Sequence, residues 1–188
     1  MFQDANGRVH WQSGGAIDAD GSNGQNGNKF AYRKDDQGLD YNRNAGWPNG
    51  GWRNVLVDNG HGQPIDDGKG NWYSQTTYTW QGRPLGTRYV DATGVAYIVV
   101  NPIVRRKAKG VVIGCKARAT YKGVSVNAVV ADVSGGADIG ELSIAAGEML
   151  KFENASPRDG GVADGVLFEF WPDVAAVVNK EKYQLQPM

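Results

Sequence analysis

The sequence predicts one mainly β domain, a compact β-barrel of about six or more strands with one or two peripheral helices. The 188 residues include 27 glycines, many of them in clusters with Asp and Asn that are typical of turns between short strands. Between these turns lie runs of β-branched and aromatic residues, and one segment has the apolar spacing of a helix. The length fits a single domain, residues 1–188, in which we expect residues 1–15 to form a flexible N-terminus.

The clearest strand signals lie in the second half of the chain. Three β-branched runs occupy residues 95–102, 111–121 and 123–132. Lys122-Gly123 is a plausible turn between the last two runs. The alternating segment 166–172 ends in proline and predicts a late strand. In the first half, residues 71–80 combine aromatic residues with threonine and are the best strand candidate.

One apolar stripe predicts a helix over residues 139–150. Its members recur at helical spacing: Leu142, Ala145, Ala146, Met149 and Leu150. Asp138 and Glu141 fit the D-x-x-E form of a capping box at the start of this helix. Helix capping is therefore one explanation for Glu141.

Charge and hydropathy argue against nucleic-acid and membrane partners. Twenty basic and 20 acidic residues give a net charge of zero. The one basic cluster, Arg105, Arg106, Lys107 and Lys109, is interpreted as a solvated loop. No apolar run approaches the ~18 residues of a membrane helix, and the N-terminus lacks the pattern of a signal peptide. We expect a monomer that acts outside the cell or in the periplasm, and either the chain leaves the cell by another route or it is trimmed at its N-terminus.

Metal and cofactor sites are not expected. The lone Cys115 lies in an apolar strand pattern and predicts a buried free thiol, and two histidines with one cysteine are too few for a typical zinc site. An EF-hand loop beginning at Asp18 would need glycine and glutamate where Asn23 and Lys29 stand. A serine hydrolase is also disfavoured, because the G-x-S-x-G elbow is absent.

The segment 131–141 carries the most suggestive chemistry. It places Asp132 at the end of a strand and Glu141 beyond a glycine-rich turn, so the two carboxylates can face one cleft. Glycoside hydrolysis needs such a pair, one protonated to donate to the leaving oxygen and one ionised to activate water or attack the sugar. Capping by Glu141 and a turn at Asp132 explain the same residues without catalysis.

The run ADVSGGADIGELSIAAGEML resembles the glycoside hydrolase family 75 chitosanases, whose pattern is a strand Asp, a glycine-rich loop and Gly-Glu-x-Ser. Ile17 to Gly21 and residues 95–102 and 167–172 also resemble segments of that family, and residues 39–52, 72–77 and 89–100 resemble its bacterial branch. The resemblance implies that Asp132 and Glu141 are the essential acids of an inverting reaction, within a double-psi-like barrel. It suggests Glu141 as general acid and Asp132 as base, although a helix N-terminus at Glu141 would favour the reverse.

The same resemblance suggests residues that bind the substrate. Asp18 and Asp20 are candidates for a substrate ammonium group, with an Asx-type turn as the alternative. Aromatic side chains can stack on sugar rings, although packing explains each of them as well. The predicted substrate-binding residues are Asp18, Asp20, Asp40, Tyr41, Trp47, Trp52, Tyr73 and Ser143.

Three functions stay open at this point. The first is endo-cleavage of a β-1,4-linked amino-sugar polymer, chitosan. The second is cleavage of peptidoglycan glycan strands by the same carboxylates, as in a phage lysin or a delivered antibacterial effector, which would have an immunity protein as partner. The third is a carbohydrate-binding module without catalysis.

Overall fold

The computed structural model describes residues 1–135 and 139–186, most of which build one mixed β-sheet and the loops that cover it. The strands are β1 (Phe2–Gln3), β2 (Val9–Asp18), β3 (Tyr32–Arg33), β4 (Asn71–Trp72), β5 (Tyr97–Val100), β6 (Cys115–Tyr121), β7 (Val124–Val133), β8 (Glu141–Ser143), β9 (Val162–Ala175), β10 (Val177–Val178) and β11 (Glu181–Lys182). The helices are α1 (Leu85–Arg88), α2 (Pro102–Lys107) and α3 (Ile144–Met149). Single 3₁₀ turns occur at Gln25–Gly27 and Trp52–Asn54.

The sheet closes into a six-stranded barrel. Its strand order is β2-β8-β5-β7-β6-β9, the pairing of β2 with β9 completes the circle, and β1 adds outside it. The pairs β2–β8 and β5–β7 are parallel, and the other neighbours in the barrel are antiparallel. The predicted mainly β barrel with peripheral helices is therefore confirmed, whereas the double-psi-like chain path stays a prediction.

The core fills the barrel with large apolar side chains from its strands. Trp11 stacks on Phe170 with ring centroids 4.7 Å apart, and Ile98 and Leu142, which are partners in β5 and β8, are both fully buried. Each such side chain contributes about 1.5–3 kcal/mol through its burial. The barrel strands are thus held rigidly, and a rigid scaffold can fix the positions of side chains at its rim.

The N-terminal segment is ordered in the barrel, which corrects the expectation that residues 1–15 are flexible. Residues 9–18 form β2, which pairs with both β8 and β9. Its glycines look like loop residues in the sequence, but Gly14 is needed for packing. A Cβ atom there would lie 2.8 Å from the backbone oxygens of Val162 and Ala163 on β9.

Two other segments also differ from their predictions. Only Asn71–Trp72 of the predicted strand 71–80 is a strand, because the rest makes single bridges such as Thr79 with Tyr89. The basic cluster is not wholly a loop, since Arg105 to Lys107 form the last turn of α2. This helix begins at Pro102 with Asn101 as its N-cap, where the strand 95–102 was expected to continue.

The predicted helix over residues 139–150 is only half helical. Helix α3 begins at Ile144, and Glu141–Ser143 form a strand because Leu142 pairs with Ile17 on one side and Ile98 on the other. Ser143, rather than Asp138, provides the N-cap by accepting a hydrogen bond from the Ala146 N–H. Asp138, the other half of the predicted capping box, lies outside the described residues.

Several predictions are confirmed. Strands β6 and β7 form a hairpin whose turn is Lys122-Gly123, with positive φ at both residues. The predicted late strand 166–172 lies within the longer β9. Cys115 is a buried free thiol. In the part of the chain that the structure describes, no helix is both long enough and apolar enough to cross a membrane.

Candidate active site

Strand register brings Asp132 and Glu141 to one face of the sheet. Strand β5 lies between β8 and β7, and its Val99 is the partner of Glu141 on one side and of Asp132 on the other. Partners in adjacent strands direct their side chains to the same face, and each strand spacing is about 4.8 Å. The backbones that carry the two carboxylates are therefore about 10 Å apart.

A local irregularity turns Asp132 toward this face. Ile98 pairs with Val130, but Val99 pairs with Asp132, so Ala131 is an extra residue in β7. With regular pairing, Ala131 would lie opposite Val99 and Asp132 would point to the other face, because side chains alternate along a strand. Bulges of this kind redirect side chains and are frequent beside active sites.

A glycine fixes the other carboxylate. Gly140, directly before Glu141, has a φ of 113°, a conformation that other residues rarely adopt. A Cβ atom at this position would lie 2.3 Å from the backbone oxygen of Gly14, so the segments that carry Gly140 and Gly14 could not approach each other as they do. The close approach lets β8 begin at Glu141, in parallel register with Ala16 of β2.

Both carboxylates line a cleft of about 990 Å³. Five acidic side chains line it: Asp18, Asp20, Asp40, Asp132 and Glu141. Among its described lining residues the one basic side chain is Arg53, which is paired with Asp58. A chain with zero net charge thus has a strongly acidic cleft, which attracts cationic ligands.

Two buried tyrosines hold the acidic residues of the cleft. The Tyr97 hydroxyl donates to Asp18 Oδ2 at 2.9 Å, and the Tyr32 hydroxyl donates to Asp20 Oδ1 at 2.9 Å and contacts Asp40 Oδ2 at 3.4 Å. Asp40 Oδ1 also accepts hydrogen bonds from the Asn44 side chain and the Tyr41 N–H. These contacts place three carboxylates beside the Asp132–Glu141 pair.

Carboxylate oxygens of Asp18, Asp20 and Asp132 lie within 4.8 Å of one another. We assign no metal ion to this cluster, because a group of acidic side chains is common in proteins without one. The expectation that the protein needs no metal and no cofactor stays a prediction.

Burial raises the pKa of every acidic group in the cleft, and repulsion by neighbouring carboxylates adds to the rise at all of them except Asp18. Burial, followed by the charges of Asp18 and Asp132, raises the pKa of Glu141 to about 8. Burial and the charge of Asp18 raise the pKa of Asp132 to about 7. Burial also raises the pKa of Asp40 to about 6, and it raises the pKa values of Asp18 and Asp20. Clustered groups with raised pKa values are typical of functional sites.

Hydrogen bonds distinguish Asp132 from Glu141. Asp132 Oδ1 accepts from the Thr77 N–H at 3.0 Å, the Thr77 hydroxyl at 2.6 Å and the Val133 N–H at 2.7 Å. These donors favour the ionised carboxylate. Within the described residues, no group donates a hydrogen bond to the Glu141 carboxylate. Asp132 is therefore the easier of the two to ionise, and Glu141 keeps its proton to higher pH.

A second groove of about 620 Å³ lies beside the cleft. Ala16 and Gly140 line both cavities, which are therefore neighbours on the surface. Glycines from β2, from the loop before β8 and from the loop before β9 line much of this groove, together with Ala163 and Val162.

The structure separates the predicted substrate-binding residues into two groups. Asp18, Asp20 and Asp40 line the cleft, as expected, together with the predicted catalytic pair. Five others are not among the residues that line it: Tyr41, Trp47, Trp52, Tyr73 and Ser143. For these five, packing within the protein is the role that the structure shows.

Ser143 is the clearest correction. Its side chain is fully buried, donates to the Val95 carbonyl and accepts from the N–H groups of Tyr97 and Ala146, so it joins β5 to α3 and cannot reach a ligand. Trp52 is buried against Trp47, with ring centroids 5.3 Å apart.

The remaining two are held by other side chains. Tyr73 packs edge-on against Phe30. Tyr41 lies between the guanidinium groups of Arg43 and Arg158, at 4.1 and 4.2 Å.

Three residues of the site have no obvious signal in the sequence. Tyr97 and Tyr32 are aromatic residues in strand segments, where core packing is the ordinary expectation. Thr77 lies in an irregular segment that looked like a strand. Only the barrel topology, which brings residues 18, 77 and 132 together, shows that these side chains serve the cleft.

Comparison of the sequence with protein-family models and curated proteins identifies no similar protein. No protein-family model matches the chain, and a search of curated proteins finds no match. The resemblance to family 75 therefore stays a prediction.

Proposed function

We propose that this protein is an endo-acting glycoside hydrolase that cleaves a β-1,4-linked amino-sugar polymer, chitosan, by inversion. The observation that carries the proposal is the row Glu141–Val99–Asp132 across three strands, which presents two carboxylates to one acidic cleft. Their backbones are about 10 Å apart. Carboxyl groups on backbones at this spacing can meet either the separation of about 6.5–9.5 Å in inverting enzymes or that of about 5–5.5 Å in retaining ones, so we propose inversion because of the resemblance to family 75.

The two environments support distinct roles. Glu141 has a pKa of about 8 and is protonated below that pH. It donates its proton to the glycosidic oxygen as the bond from that oxygen to the anomeric carbon breaks. Asp132, ionised above a pKa of about 7, takes a proton from water as the water oxygen bonds to the opposite face of that carbon. Glu141 ends ionised and Asp132 protonated, and exchange with solvent restores both. Glu141 precedes α3 by three residues, outside its first turn, which removes the helix-dipole objection to its acid role.

The charge of the cleft supports a cationic polymer. Asp18, Asp20 and Asp40 lie beside the catalytic pair, and glucosamine units carry ammonium groups that these carboxylates can bind. A peptidoglycan strand has acetamido groups in place of those ammonium groups and gains less from this cleft. The groove beside the cleft offers further surface for a long chain, which supports internal cleavage.

The test is product release from chitosan of low and high acetylation and from purified peptidoglycan. Wild type is compared with Asp132→Asn, Glu141→Gln and the control Glu148→Gln, whose side chain is exposed on α3. The proposal expects release from chitosan of low acetylation, with the α-anomer formed first, and loss of activity in the first two variants only. Release from peptidoglycan alone would assign the pair to the other polymer. Glycan binding without release would leave a binding module.

A further inference from the structure

Thr77 controls which oxygen of Asp132 is free. Its N–H and its hydroxyl both donate to Asp132 Oδ1, at 3.0 and 2.6 Å, and the Val133 N–H donates to the same oxygen. Among the described residues no donor reaches Oδ2. The carboxylate is therefore bonded on one side only, and Oδ2 is the oxygen left for a water molecule in the cleft.

The segment that carries Thr77 is itself fixed. The Tyr78 N–H donates to the backbone oxygen of Ala131 at 2.8 Å, beside the bulge that turns Asp132. Next to it, the Thr76 hydroxyl donates to the Tyr78 carbonyl and accepts from the Val90 N–H. Thr77 thus bonds Asp132 from an anchored backbone, while its own side chain is exposed in the cleft rather than packed in the core.

We propose that Thr77 is a positioning residue, which orients Asp132 so that Oδ2 faces the water to be activated. The inference rests on the proposed function and adds a residue to it. Two of the three donors to Oδ1 come from Thr77, and its hydroxyl makes the shortest of the three bonds. The same bonds lower the pKa of Asp132, against the burial that raises it. They therefore keep the base ionised while Glu141 is still protonated.

The test uses Thr77→Val, which removes the hydroxyl donor but keeps the N–H and the shape of the side chain. Thr77→Ser keeps the hydroxyl, and Thr87→Val is a control at an exposed threonine on α1. The first readout is the pKa of Asp132, measured by carboxyl ¹³C NMR on the protein without substrate. The second is kcat/KM against pH on soluble glucosamine oligomers.

In Thr77→Val we expect the pKa of Asp132 to rise by about one unit, as a lost hydrogen bond to the charged form predicts. The acidic limb of the pH profile should move by the same amount, with kcat about tenfold lower and KM little changed. Thr77→Ser should stay near wild type, as should Thr87→Val.

An unchanged pKa in Thr77→Val, with an unmoved acidic limb, would overturn the positioning role even if the wild type cleaves chitosan. If Thr77→Val raises the pKa of Asp132 but the wild-type protein releases no sugar, the proposed function would be overturned instead. In that case Thr77 would still orient Asp132, but in a binding site.

Discussion

Strands β7 and β8 hold their carboxylates in opposite ways. At the end of β7 a bulge turns Asp132 into the cleft, and three hydrogen bonds then hold one of its oxygens. At the start of β8 a glycine with positive φ sets Glu141, whose carboxylate receives no hydrogen bond from the described residues. Both are buried among other acids, so the difference in hydrogen bonding separates a group that ionises from one that stays protonated.

Loss of the proton donor should have the largest effect. Glu141→Gln keeps the size of the side chain but cannot donate a proton of comparable acidity, so kcat should fall by about 10³-fold or more. Release of reducing ends from glucosamine oligomers measures this loss, and binding of the oligomers should be retained. Glu148→Gln, on exposed helix surface, should match the wild type. A loss of less than tenfold in Glu141→Gln would assign the acid role elsewhere.

Asp132→Asn should lower kcat by about 10²–10³-fold, since water activation is lost while protonation of the leaving group remains.

The wild-type kcat/KM should be bell-shaped, highest between about pH 7 and pH 8, because Asp132 must be ionised and Glu141 protonated. The two limbs belong to the coupled pair, so each variant should remove one limb from its residual activity. The acidic limb should vanish in Asp132→Asn and the alkaline limb in Glu141→Gln; the opposite result would exchange the roles.

The raised pKa of Glu141 also predicts how the stability of the fold depends on pH. The pKa of Glu141 is higher in the folded protein than the ordinary 4.5, so the folded state binds more protons than the unfolded state between about pH 4.5 and pH 8. Stability should therefore fall as pH rises through this window. Glu141→Gln stays neutral and should raise Tm at pH 8 by about 10 °C, with no gain at pH 4. Thermal unfolding at both values measures this, and an equal gain at pH 4 and pH 8 would contradict it.

The sequence alone predicts the barrel and the pair but not what surrounds them. β-branched runs identify β5, β6 and β7, and an alternating segment identifies β9, since local residue preference and burial agree in them. Helical spacing gives the wrong structure at Glu141, because Leu142 serves equally well as a strand residue between Ile17 and Ile98. Roles that depend on contacts between distant residues cannot be predicted without the barrel topology. The hydrogen bonds from Thr77 to Asp132 are an example.

Glycine gives the most misleading signal. Gly14 and Gly15 make β2 look like a flexible loop, yet they let β2 approach its neighbours in the barrel. They also line the groove beside the cleft. Composition cannot distinguish a glycine that loosens a chain from one that permits close packing.

The smallest predicted effect lies in that groove. Ala163 is exposed on β9 and lines the groove away from both carboxylates, so Ala163→Trp should obstruct a long chain without touching the catalytic pair. Cleavage of polymeric chitosan should fall severalfold, whereas cleavage of the shortest oligomers that the wild type accepts should be unchanged. Val174→Trp, also exposed on β9 but outside both cavities, is the control. An equal loss on polymer and short oligomers would mean that the substitution disturbs β2 and the pair itself, and an unchanged polymer rate would place the substrate chain outside the groove.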